Sequence, residues 1–123
     1  MTQQFITIIA DHKGNARPKA VGDEYVVDCF VKMTVYHDAD VINASDVGLS
    51  SITAATITGQ STASNDGKTA AFIEVTNVAT GAYTSNSSVT MLLVQALQAT
   101  PAEVADGGTH SGMQMRVRVW GQI

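Results

Sequence analysis

The stretch EYVVDCFVKMTVY, Glu24 to Tyr36, decides the fold. Tyr25, Val27, Cys29, Val31, Met33 and Val35 fall on one face of an extended chain. Val26, Asp28, Phe30, Lys32, Thr34 and Tyr36 fall on the other. Apolar residues at every second position are the signature of a strand with one face in a core. The second face mixes charge with aromatic rings, which predicts partial cover by a loop or a neighbouring strand. Cys29 lies among Val27, Val31 and Met33, so it reads as a small buried hydrophobe rather than a nucleophile.

Near the C-terminus, MQMRVRVW repeats the pattern. Met113, Met115, Val117 and Val119 alternate with Gln114, Arg116, Arg118 and Trp120. Further strands are expected at QFITIIA, ending at Ala10, at SSITAATIT from Ser50, and at TAAFIEVT from Thr69. VTMLLVQALQA, residues 89–99, reads as a strand by its Val and Thr, although its Leu and Met content also fits a short buried helix. Between these lie GQSTASNDGK, where Asp66-Gly67 is hairpin-turn chemistry, and the polar turn stretch NVATGAYTSNSS. Two longer loops are expected over 11–23 and 100–112. Strands at this spacing predict an all-β protein, a single-domain antiparallel β-sandwich of jelly-roll type over residues 1–123.

Composition agrees. The chain has 123 residues, of which 45% are hydrophobic and only 15% charged. That is long enough for one core that folds without a metal or a disulfide, and too poor in charge for a disordered chain. The net charge of −4 argues against nucleic acid, because an acidic surface gains nothing from counterion release. The N-terminus lacks the basic region and long apolar run of a secretory signal, and no run is long enough to span a bilayer.

The acidic stretch YHDADVINASDVGL, from Tyr36, places Asp38, Asp40, Asn43 and Asp46 beside His37. Counted from Asp38, an EF-hand loop requires Gly at the sixth position and Glu at the twelfth. The chain has Asn43 and Leu49 there. The expectation is a link between strands, with one helical turn capped by an Asp or Ser and Leu49 pointing into the core. DGKT, from Asp66, echoes a phosphate-binding loop, but Thr62 stands where the motif needs Gly. The three histidines, His12, His37 and His110, sit apart in or beside loops. No catalytic residue, cofactor or metal site is predicted, and the protein is expected to act by contact rather than as an enzyme.

Two groups are candidates for that contact. Lys13, Arg17 and Lys19 form the densest positive cluster of an acidic chain. Arg116, Arg118 and Trp120 share the face of the last strand opposite its apolar set. An outward Trp beside Arg has the composition of an interface anchor; the alternative is a Trp lying over the edge of its own core.

SDVGLSSITAATITG followed much later by MRVRVWG resembles a group of small β-rich virion proteins of tailed phages. The positions that carry the resemblance are Ser45, Asp46, Val47, Gly48, Leu49, Ile52 and Gly59, then Val117, Arg118, Val119 and Gly121. They span about a third of the chain, and Val47 stands where the group often has Leu. The resemblance implies a capsid decoration (cement) protein that binds the major capsid protein, as a homotrimer on the virion surface, with no nucleic-acid or membrane partner. A head or tail knob or fibre recognising host glycans through Tyr25, Tyr36, Tyr83 or Trp120, and a self-assembling coat or tube subunit, are the alternatives.

Overall fold

The computed structural model describes residues 5–36, 40–61, 69–78, 80–81, 84–95, 102–103 and 108–123, with side chains for all of these except 5, 33–36, 69, 95, 102–103 and 108–113. The strands are β1 (Phe5–Ile8), β2 (Lys19–Val21), β3 (Glu24–Tyr36), β4 (Asp40–Asn43), β5 (Ser51–Gln60), β6 (Thr69–Glu74), β7 (Ser88–Gln95), β8 (Ala102–Glu103) and β9 (Gly108–Gln122). A 3-10 turn, Ala44–Val47, is the only helical element among the described residues. The all-β expectation holds, and residues 88–95 are strand rather than helix.

The strands form two antiparallel sheets. In the larger, β3 and β9 pair at the centre, β1 and β2 share the outer side of β3, and β5 lies beyond β9. In the smaller, β7 pairs with β4, β6 and β8. The two sheets bury one core between them. The larger sheet contributes Val27, Cys29, Val31, Ile52, Met115, Val117 and Val119, and the smaller contributes Ile42, Ala71, Val89, Met91 and Leu93. Each fully buried aliphatic chain contributes about 1.5–3 kcal/mol relative to exposure. The phase expected for Glu24–Tyr36 is therefore correct where side chains are described; those of Met33, Val35 and Met113 lie outside the described residues.

Several expectations are corrected. The stretch 11–23 is not all loop, because Lys19–Val21 extends the larger sheet by pairing with Glu24–Val26 across the turn at Gly22. The stretch 100–112 is also shorter as a loop: Ala102–Glu103 pairs with β7, and β9 begins at Gly108. Asp40–Asn43 is not mere connection but a strand, with Asp40 and Ile42 fully buried. Finally, β5 and β6 do not form a hairpin ladder. β5 pairs with β9 and β6 with β7, so the chain crosses between sheets, and Asp66-Gly67 lies outside the described residues. Both strands have an apolar face to bury, and facing each other across a core satisfies both.

The turn after β4 is capped by Asn43, not by an Asp or Ser: the Asp46 carboxylate accepts the Asn43 N–H at 2.9 Å. Gly48 closes it in the left-handed region, φ 80°, and Leu49 donates its N–H to Ala44 O at 2.9 Å. Val47 and Leu49 are thereby driven into the core.

Asn86 joins the sheets. Its N–H donates to Ile52 O at 2.9 Å and its carbonyl accepts the Ile52 N–H at 2.7 Å, tying the segment before β7 to the edge of β5. Its side-chain Nδ2 donates to Ile52 O at 3.0 Å and Asn77 O at 3.1 Å, and its Oδ1 accepts the Asn77 N–H at 3.0 Å. The expected polar turn stretch thus contains a buried residue, because only a side chain with both donor and acceptor satisfies these backbone groups at once.

Gly121 is required by close approach. A Cβ there would overlap the Ser51 carbonyl oxygen, so β5 and β9 can pair at this point only over a glycine. Gly121→Ala is expected to destabilise the fold by about 1–3 kcal/mol, the range for overpacking, read as a lower urea midpoint. Cys29 gives a second test. Its thiol is fully buried and is pushed up to about 12, by burial first and by the adjacent Asp28 charge second. The native thiol should resist a disulfide reagent at pH 8 and react on unfolding. Because its folded value lies above its ordinary 9.0, stability should be full below pH 9 and fall as pH rises from 9 toward 12.

Candidate functional site

Residues directly opposite in a sheet share a face, so the pairing of β3 with β9 dictates which side chains meet outside the core. Three of the rows that cross the outer face of the larger sheet carry the candidate groups. Lys19, Val26, Trp120 and Ala54 form the first; Asp28, Arg118 and Thr56 the second; Thr7, Phe30, Arg116 and Gly59 the third. The two candidate groups, distant in sequence, therefore meet. Lys19 reaches the first row because β2 pairs with β3, and Arg17 lies in the loop beside it.

Electrostatics organise this face around two carboxylates. Asp28 receives a fork from Arg118, with Nε to Oδ1 and a terminal guanidinium nitrogen to Oδ2, both at 3.0 Å. Arg116 approaches Oδ2 at 3.6 Å. The Arg118 hydrogen bonds hold the Asp28 carboxyl below its usual range, against the opposing effect of burial. Asp11 accepts backbone N–H bonds from Lys13 and Asn15, each at 2.9 Å, and pairs with Lys19 Nζ at 3.0 Å. The Asn15 bond, then Lys19, lowers it to about 2. Lys19 also donates to Asn15 O at 3.3 Å, which closes the loop on itself.

Two hollows open on this face. One, about 160 Å³, is bordered by Asp11, Arg17, Lys19, Val26, Asp28 and Arg116. The other, about 320 Å³, has Phe30, Gly59, Gln60, Gln114 and Arg116 among its walls. Of the six predicted residues, Arg17, Lys19 and Arg116 line one hollow together, and Arg118 positions Asp28 at its floor. Trp120 stands on the same face, half-buried between Val26 and Ala54. Lys13 is exposed in the loop and borders neither hollow. Among the sugar-site candidates, Tyr25 packs against the core, Tyr83 lies outside the described residues, and so does the side chain of Tyr36.

Sequence reasoning missed Asp11, Asp28 and Phe30 as members of the site. The mixed face of Glu24–Tyr36 was the signal, but its partner strand had to be known. The stretch Lys13–Lys19 is also less starkly positive than it reads in sequence, since Asp11 is folded back into it. The acidic stretch after β3 does not converge: Asp40 points into the core, and Asp46 accepts the Asn43 N–H within the turn. Among the described residues, no three His, Cys, Asp or Glu side chains gather in a way that holds a metal ion.

No family model, curated protein or solved structure matches this chain. The virion resemblance therefore stands on the residues quoted for it alone.

Asp28→Asn tests the network. The folded carboxyl is depressed, so its contribution is present above about pH 4 and is lost as pH falls toward the folded value. The variant should be less stable at pH 7 and lose less further stability between pH 4 and 2. Urea unfolding across that range measures both.

Proposed function

We propose that the protein is a contact protein of a phage virion, a decoration protein that binds the assembled shell through the outer face of its larger sheet. The observation that carries this reading is the gathering of Arg17, Lys19, Arg116 and Arg118, with Phe30 and Trp120, on one sheet face of a chain whose net charge is −4. Arg and aromatic side chains are the residues that anchor interfaces. Local cation excess on an acidic molecule orients it toward an acidic target without making the whole molecule sticky.

The partner in this reading is the major capsid protein. Binding only the closed lattice stabilises that lattice by mass action, with no chemistry required. Self-association, as a trimer, would use a different face. On the outside of the smaller sheet, Phe72 is half-exposed opposite Leu92, with Val41, Ala70 and Val94 in the neighbouring positions. The polar rim of the larger hollow around Phe30, with Gln60, Ser61 and Gln114, also suits a sugar, which keeps the glycan-binding knob as the second reading.

Titration onto expanded, undecorated shells tests the first reading. Saturable binding at micromolar protein is expected, weakened by salt. Neutralising Lys13, Arg17 and Lys19 together should lower affinity at low salt and flatten the salt dependence. Absence of shell binding, with glycan-array binding in its place, would favour the knob.

A further inference from the structure

We infer that the docking element on the partner is a short exposed peptide segment in which a carboxylate stands beside an aromatic or large aliphatic side chain, and that Arg116 is the residue that reads it. The inference deepens the docking reading and rests on it only for the identity of the shell.

Arg116 is one of two residues that border both hollows; the other is Ile9. It thus stands as a ridge between a charged depression and an apolar one. The two arginines of β9 look equivalent in sequence but are not. Arg118 has its fork committed to Asp28 at 3.0 Å through two donors. Among the described residues, the Arg116 side chain makes only the 3.6 Å contact to Asp28, and it is 55% exposed. Its fork is therefore the one available for a second carboxylate, and a guanidinium–carboxylate pair is strong and directional.

Charge and shape specify the occupant together. Around the smaller hollow, among the described residues, Arg17, Lys19, Arg116 and Arg118 face two carboxylates, Asp11 and Asp28. The local excess is positive and calls for an anion. The larger hollow, immediately beside the Arg116 guanidinium, has Phe30 in its wall, and Gly59 opposite Arg116 leaves open space where a side chain would stand. At about 320 Å³ it sits at the lower limit of small-molecule sites, roughly 300–1,000 Å³. It is also open to solvent. It fits one side chain delivered by a larger partner better than it encloses a free ligand.

The test uses the full chain and a labelled hexapeptide, Gly-Ser-Asp-Phe-Ser-Gly, followed by fluorescence anisotropy. Saturable binding is expected, and at least tenfold weaker binding when the peptide's Asp is replaced by Asn or its Phe by Ala. Arg116→Ala should weaken binding at least tenfold, and Arg116→Lys by several-fold, since charge remains but the fork is lost. Lys32→Ala, a cation on the same sheet outside both hollows, should bind as the parent does, and melting curves should show all three variants folded. Absence of saturable binding at about 1 mM peptide, equal binding by Arg116→Ala, or tighter Arg116-dependent binding of an oligothymidylate than of the peptide would overturn the inference. Shells that bind the parent and Arg116→Ala equally would also overturn it while leaving the decoration reading intact. Peptide selectivity without shell binding would uphold this inference and remove the decoration reading.

Discussion

The register of β3 against β9 is the constraint on which the rest of the molecule depends. Cys29 lies opposite Val117 and Asp28 opposite Arg118. The first pair is part of a dry core; the second is the centre of a charged surface. Because side chains alternate with a period of two, a slip of one residue would exchange these roles along whichever strand moved. Valines would face water, and either Asp28 or the two arginines would face the core without solvent. The opposed penalties on the two faces make the register self-specifying, and they bind core and surface to one choice.

Two further features turn this pair into a closed body. Gly121 lets the backbone of β5 approach β9 at the end of the ladder, where any side chain would meet Ser51. Asn86 then fastens the β5 edge to the segment leading into the smaller sheet, using backbone and side chain together. Buried polar groups are costly unless satisfied, so a buried asparagine bridging Ile52 and Asn77 favours one relative placement of these segments. The 3-10 turn works beside it, converting the end of β4 into the start of β5 while sending Val47 and Leu49 inward.

The charged outer face has structural consequences, and the proposed docking follows from them. Asp28 is a cross-strand partner first: its fork with Arg118 ties the two central strands on the side away from the core. That commitment leaves the neighbouring Arg116 as the more available guanidinium. Asp11 acts similarly on the preceding loop, gathering Lys13, Asn15 and Lys19 around one carboxylate. The loop is thus shaped by its own charges, and its Arg17 is carried to the edge of the same hollow that Arg116 borders. The proposed docking chemistry draws on what the structural ion pairs leave over.

What the sequence determined by itself is the set of local choices. Alternation in Glu24–Tyr36 and Met113–Trp120 established strands, their inward residues, and the outward set of Arg116, Arg118 and Trp120. Turn-forming residues located the link around Asn43–Gly48. These are legible because each depends on neighbours within a few residues. Pairing partners were not legible. Nothing local distinguishes a β5–β6 hairpin from a crossover between sheets, since both bury the same apolar faces. The short strands Lys19–Val21 and Asp40–Asn43 carry too few residues to show a period. Asn86 reads as a turn former because its role depends on Ile52 and Asn77, which only the fold brings within hydrogen-bonding distance. The difference between Arg116 and Arg118 was likewise decided by tertiary structure: it is a matter of which guanidinium the fold sets squarely against Asp28, and two residues of identical chemistry carry no sign of that in sequence.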